Sequence, residues 1–366
     1  MRITRLRAHA LRNPAPGREA IALVVVEIET DEGLTGLGSV GGFPVGAETI
    51  ITRQFAPLLE GADPTEIETL WERLYASLNR QGQRGTGVMA LSGVDLALWD
   101  LLGKSVGRPV VSLIGGGSTR TVPVYLSSLS LRGREDPQSL LDEILEGRQQ
   151  GFNAFKYFSI HGPAHGEQGR QTEVDVLREI RAAIGPSADL MVDAHFGWDL
   201  PYARRMLQPL ADVGARWLEN PIPIEDLAGY EALARDGAVP LAAGESERTR
   251  FPYISLINAG VYYLQPDVNR VGGLTETLRI CALAASHHRP VTPHQGWLHS
   301  WHLIAARANC PIGEYFPRRD PLPGNSLIWD ALSGEPEAIH GAVTIPNRPG
   351  FGWTLDHASL TRYAPD

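Results

Sequence analysis

The sequence predicts an α/β fold: a (β/α)7β TIM-type barrel with an α+β capping domain. Three observations carry that prediction. A β-rich hairpin pattern followed by long helical stretches occupies roughly the first third of the chain. Eight short apolar runs then alternate with helical segments. Six of the last seven runs bear a charged or titratable residue at or near the C-terminal end, and the second run carries Lys156 a little earlier.

Taken in order, residues 21–29 (IALVVVEIE) are β-rich, the turn TDEGLTG follows, and a short partner ends near Gly41, which makes a hairpin. Residues 49–79 read as helical. A second helix is predicted over roughly 88–104 (VMALSGVDLALWDLLGK), stopping before Gly107 and Pro109. Antiparallel strands followed by helices form a small α+β layer. From Val122 the rhythm changes. Apolar runs begin at Val122, Ala154, Leu190, Arg216, Pro240, Tyr262, Arg289 and Ile312, with starts 22 to 36 residues apart, room for one strand and one helix. Eight such units close a barrel; an open, doubly wound sheet is the alternative. The expected organisation is a capping domain over 1–120, a barrel over 121–325, and a C-terminal segment, 326–366, that returns to the capping domain.

With 366 residues the chain is long enough for more than one domain, and a formal charge of −9 supplies no global basic footprint for nucleic acid or an anionic membrane. No apolar run reaches transmembrane length. The N-terminal stretch MRITRLRAHALRNPAPG lacks the apolar region and cleavage site of a signal peptide, so a cytoplasmic protein is expected. Cys281 and Cys310 lie in apolar stretches and are expected to be buried free thiols.

The chemistry is read from the strand ends. Strands covered on both faces should be almost entirely apolar, so polar residues at their C-terminal ends point into the barrel mouth, where active sites sit. In order these residues are Lys156, Asp193, Glu219, Glu245, Asp267, His294 and Glu314. Asp193, Glu219 and Glu245 fall 26 residues apart on three successive strands. Three converging carboxylates repel one another unless a hard cation sits between them, which calls for Mg²⁺, with Mn²⁺ as a substitute. Asp267 and His294, on the next two strands, are expected to form a carboxylate–imidazole dyad for general base and acid work. Lys156 is expected across the mouth from these groups, facing a substrate carboxylate. Glu314 is expected to hydrogen-bond a substrate oxygen or to donate a proton. Such a set suits removal of a proton α to a carboxylate, because the second negative charge that builds on the carboxylate needs preorganised positive charge.

The motifs GVDLALWDLLGKSVGRPV, GFNAFKYF, VDAHF, WLENPIP, GES, QPDVNRVGG, TPHQG and GEYF together resemble the enolase superfamily, in its mandelate racemase branch, over essentially the whole chain. The resemblance implies metal ligands at Asp193, Glu219 and Glu245, an Asp–His dyad at Asp267 and His294, and a functional glutamate at Glu314. Many members carry Lys-x-Lys on the second strand; this chain has Lys156-Tyr157-Phe158, so the usual second base is a phenylalanine. That disfavours a two-base racemase. RQGQRGTGVMALSGVDLALWD, KYFSIHGPAHGEQG and TPHQGWLHSWHL are most similar to the L-rhamnonate dehydratase family and related acid-sugar dehydratases. Their chemistry implies one histidine that takes the α-proton and then protonates the departing β-hydroxyl, giving a 2-keto-3-deoxy acid. A cycloisomerase or epimerase using the same enolate is the alternative, and a catalytically inactive sugar-acid binder is the non-enzymatic one. The expected partners are a small acid sugar and further copies of the chain. Specificity is expected in the loops 12–19, 41–48 and 80–87, with His195, His161 and His165 as candidate substrate contacts; His195 lies two residues past Asp193 and hence on the same strand face.

Overall fold

A computed structural model of the chain describes residues 1–12, 21–118, 120–130, 138–318 and 326–365. The N-terminal part is a three-stranded antiparallel sheet, β1 (Ile3–Arg12), β2 (Ile21–Thr30) and β3 (Thr35–Val40), in the order β1-β2-β3. The β2–β3 hairpin is the predicted one. Strand β1 was not predicted: a register shift between Ile3 and Arg5 places its buried residues Ile3 and Leu6 three apart, which hides the two-residue period. The predicted helical stretch 49–79 is broken. Helical turns run from Ala47 to Leu59, and a separate helix spans Ile67–Ser77. Gly61, at φ 76°, lies in the break.

The helix Gly85–Ser105 is the hub of the molecule. Strand β3 lies against it so closely that a Cβ on Gly36 would fall 2.2 Å from the Ala97 carbonyl oxygen, and one on Gly38 2.1 Å from that of Gly93. Against expectation, this helix is long and apolar enough to cross a membrane, but 78% of its most apolar window is buried inside the protein. A helix apolar all round is what an element covered on all sides requires. Its two buried acids are used as junctions. Asp95 accepts hydrogen bonds from Thr275 N (3.0 Å) and Thr275 Oγ1 (2.6 Å), at the start of the barrel helix Gly273–Ser286. Asp100 accepts the amides of Leu37 and Phe351, both at 2.8 Å, linking the capping sheet to the C-terminal segment. Burial pushes the Asp95 carboxyl up to about 7.

The barrel strands are β4 (Thr121–Ser130), β5 (Ala154–Phe158), β6 (Asp189–Asp193), β7 (Ala215–Glu219), β8 (Leu241–Ala243), β9 (Tyr263–Leu264) and β10 (Gly313–Tyr315). They pair in parallel in the order β10-β4-β5-β6-β7-β8-β9. The predicted strand at 289–295 is reduced to two bridges, Leu264↔Val291 and Asp267↔His294. Pro290 and Pro293 remove ladder donors there, so only isolated pairs form. Tyr125, Met191, Trp217, Ala242 and Ile312 pack together within the barrel. Met191 and Trp217 stand two residues before Asp193 and Glu219, on the same strand faces, and so form the apolar floor of the acid site. The C-terminal segment first adds the strand Ala342–Thr344 antiparallel to the start of β4, then bridges Gly350 to Pro109. Its Tyr363 carbonyl accepts the Arg12 amide at 2.8 Å. The segment therefore touches the barrel as well as the capping domain. Cys281 and Cys310 are buried free thiols, their sulfurs 3.8 Å apart.

Candidate active site

Register assembles the acids. Asp193 and Glu219 are paired Cα neighbours at the ends of β6 and β7, so their side chains share one face. Glu245 follows β8 by two residues. Ligand atoms from Asp193, Glu219 and Glu245 lie within 4.8 Å of one another. Asp193 and Glu219 are fully buried. Asp193 Oδ2 is buried with no hydrogen-bond partner among the described residues, and the Lys156 ammonium meets it only as an ion pair at 3.5 Å, which leaves room for a further positive charge. An all-oxygen donor set with an orphaned carboxylate oxygen fits a hard divalent cation. Burial, reinforced by the charge of Glu219, holds the Asp193 carboxyl well above its usual range. Burial acts in the same sense on Glu219, but the Lys156 ammonium overrides it, and with Gln265 and Trp217 as hydrogen-bond donors brings that carboxyl down to about 2.

Lys156 stands elsewhere than expected. Its Nζ lies 2.8 Å from Glu219 Oε1, 2.6 Å from Glu314 Oε1 and 3.5 Å from Asp193 Oδ2, and only 1% of the side chain is exposed. It belongs to the acid cluster and does not face it across the mouth. Burial opposes its charge, but Glu219 and Glu314 outweigh that and hold the ammonium protonated. Glu314 is also tied down: Ser127 Oγ donates to its Oε1 at 2.6 Å, and the Gln295 amide to its Oε2 at 2.7 Å.

Asp267 and His294 come within hydrogen-bond reach of each other. His294 Nδ1 is 2.7 Å from Asp267 Oδ2, and Nε2 is 3.4 Å from Glu245 Oε2. Asp267 is further held by the Asn269 amide (3.1 Å) and by an ion pair with Arg270 Nε (2.9 Å). Burial would raise Asp267, but Arg270 and then His294 keep it below the usual carboxylate range. His294 is lowered by burial; Glu245 and Asp267 more than compensate, leaving it above the ordinary histidine value. In the neutral ring, an Nδ1–H held by Asp267 leaves Nε2 able to accept a proton, and it is turned toward Glu245.

A cavity of about 330 Å³ opens over this set, lined by Glu245, His294, Phe158 and His195 from the barrel and by Gly41–Gly42–Phe43 from the capping domain. The 41–48 loop thus reaches the site; no residue of 80–87 lines this cavity. Residues 13–19 of the 12–19 loop lie outside the described residues. His195 reaches the cavity for a reason other than strand alternation: β6 ends at Asp193, and His195 and Phe196 adopt φ 48° and 59°. That turn lays the His195 ring on Phe158, centroids 4.9 Å apart and planes 12° apart. Sequence reading missed Arg270, Asn220 and Gln265. Arg270 and Gln265 stand in the quoted QPDVNRVGG segment; Asn220, which donates to Glu245 Oε2 at 3.1 Å, directly follows Glu219.

The family profile described as "Enolase C-terminal domain-like" matches residues 139–359, and that of the "Mandelate racemase / muconate lactonizing enzyme, N-terminal domain" matches 9–115. The chain is 33% identical to an L-rhamnonate dehydratase of Saccharopolyspora erythraea over 347 residues, covering 93% of this chain and 85% of that one. An L-talarate dehydratase from Polaromonas sp. JS666, solved with Mg and L-glucarate, superposes with a TM-score of 0.88 at 28% identity over 100% of this chain and 98% of that one. A 3,6-anhydro-D-galactonate cycloisomerase from Zobellia galactanivorans gives 0.89 at 26% identity, covering all of both chains.

Proposed function

Since the chain belongs to the enolase superfamily, in the branch of mandelate racemase and muconate lactonizing enzyme, we propose that it is a magnesium-dependent dehydratase of acid sugars, a hydro-lyase forming 2-keto-3-deoxy acids. The observation that carries this reading is the placing of three carboxylates within 4.8 Å of one another beside an Asp267–His294 dyad whose free Nε2 is 3.4 Å from one of them. Asp193, Glu219 and Glu245 would hold the magnesium ion, which would supply positive charge where negative charge builds on the substrate carboxylate. Lys156 keeps Glu219 ionised and adds a second fixed positive charge beneath the site. Neutral His294 takes the proton from C2 at Nε2, and Asp267 stabilises the imidazolium that results. The same Nε2–H then protonates the β-hydroxyl, which departs as water, and the enol becomes the keto acid. Residues 121–325 supply this chemistry, while 1–120, through Gly41–Phe43, close the cavity over the substrate. A screen of aldonic acids with Mg²⁺ for 2-keto-3-deoxy product tests the assignment. Isomerisation without loss of water would favour the cycloisomerase instead, and no product with any acid would overturn both.

Phe158 makes the site one-sided. No lysine stands where the usual second base would be, and the wall there is the Phe158–His195 stack. In D₂O, exchange at C2 is therefore expected for one configuration only. Exchange of both configurations at comparable rates would reveal a second base, and His195 is the other imidazole lining the cavity.

A further inference from the structure

A second cavity, of about 480 Å³, lies beside the first and shares His195 with it. Its walls are the segment after β5, residues 159–165, and residues 194, 195 and 197–199 of the turn after β6. The two loops touch backbone to backbone: a Cβ on Gly162 would lie 2.6 Å from the Gly197 carbonyl oxygen. Trp198 Nε1 donates to the His161 carbonyl at 2.9 Å, so the indole is fixed as part of the wall. The two cavities meet at His195, whose ring stacks on Phe158 and whose side chain is 44% exposed.

Two histidines of this second cavity have their tautomers set by the protein. His161 Nδ1 is 2.7 Å from Glu173 Oε1, a carboxylate oxygen that also accepts the Ile160 and His161 amides. In the neutral ring Nδ1 therefore carries the hydrogen, and Nε2 is an acceptor. His165 Nδ1 accepts the Gly162 amide at 3.1 Å, so its Nε2 carries the hydrogen and is a donor. The rings meet edge to face with centroids 5.0 Å apart. None of the described residues hydrogen-bonds either Nε2. A donor and an acceptor on rings whose centroids are 5.0 Å apart match a hydroxyl group, which needs both. Asp199 also lines the cavity and would repel a second carboxylate.

We infer that this cavity is a subsite for the uncharged, hydroxylated tail of a long aldonate, with His161 and His165 as its specificity-determining residues. The inference rests on the dehydratase reading and extends it: the carboxylate end sits over the metal acids, and the polyol tail passes His195 into the second cavity. The site should accept six-carbon monocarboxylates and reject the dicarboxylates of the same length.

The test compares a four-carbon aldonate, a six-carbon aldonate and the matching six-carbon aldarate. His161→Asn and His165→Asn keep the inner hydrogen bond, since the Asn amide overlays Nδ1, and delete Nε2. Each should raise KM for the six-carbon aldonate about five- to tenfold, the worth of one good hydrogen bond. Neither should move kcat or KM for the four-carbon acid. His165→Gln, which returns a donor to the outer position, should recover part of the loss. Equal effects on both chain lengths, no effect on the long acid, or wild-type preference for the aldarate would each overturn the subsite and leave the dehydratase reading standing. Absence of turnover with every acid in wild-type enzyme would bring down that reading, and the subsite with it.

Discussion

Replacing His294 with Asn is expected to lower kcat at saturating substrate by at least the upper part of the roughly 10²–10⁴ that a general acid–base group supplies, because one imidazole serves both proton transfers. The substitution keeps the inner part of the side chain, so metal affinity and melting behaviour should be retained. Asp267→Asn should be milder: it disturbs tautomer and orientation but leaves the imidazole in place. The pH profile separates the two roles. The base works when neutral, so activity falls as pH drops through the His294 value. Burial lowers that value, while Glu245 and the Asp267 hydrogen bond raise it. Removing the Asp267 carboxylate takes away one of the raising contacts, and the acid limb should therefore move to lower pH. A His294→Asn enzyme within about tenfold of wild type, short of the range for such groups, would show that another residue is the base. An acid limb unmoved in Asp267→Asn would show that the limb does not report His294.

Chelating the metal is expected to abolish turnover, with recovery on adding Mg²⁺ or Mn²⁺. Glu219→Gln should cost more affinity than the roughly 10–100-fold commonly lost when an outer partner of a metal ligand is removed, since it alters a ligand itself. The barrel should stay folded, because Gln can still fill the space above Trp217 and meet Lys156 through its carbonyl oxygen. Direct metal titration reads both effects. Affinity should also fall on acidification, because the cation needs ionised carboxylates and burial, with the charge of Glu219, holds the Asp193 carboxyl above its usual range. Full activity in metal-free enzyme would sink the assignment.

Much of this site is legible in the sequence, because barrel geometry converts spacing into position. Once eight strand-and-helix units are recognised, a residue at the C-terminal end of each strand must face the mouth, and Asp193, Glu219, Glu245, Asp267 and His294 follow from counting. The hairpin β2–β3 and the long apolar helix were legible for the same reason, as unbroken local periods. What failed was local in another way. Strand β1 escaped because a bulge interrupts its alternation, and 49–79 broke where Gly61 turns the chain.

Other features were decided only by the tertiary structure. Residue order put Lys156 at the mouth, but a long, flexible side chain goes where opposite charge is densest, and three carboxylates drew its Nζ into their midst. His195 enters the cavity through a left-handed turn that alternation does not describe. Arg270, three residues past Asp267, became its ion-pair partner only through the fold of the loop after β9. The sequence by itself therefore determined the fold class, the convergence of Asp193, Glu219 and Glu245 and the pairing of Asp267 with His294, all of which depend on periods of two and on one residue per strand. Tertiary structure alone decided which charge neutralises which, how each imidazole is held, and where the second cavity opens, because those depend on side-chain reach and loop turns that no spacing rule encodes.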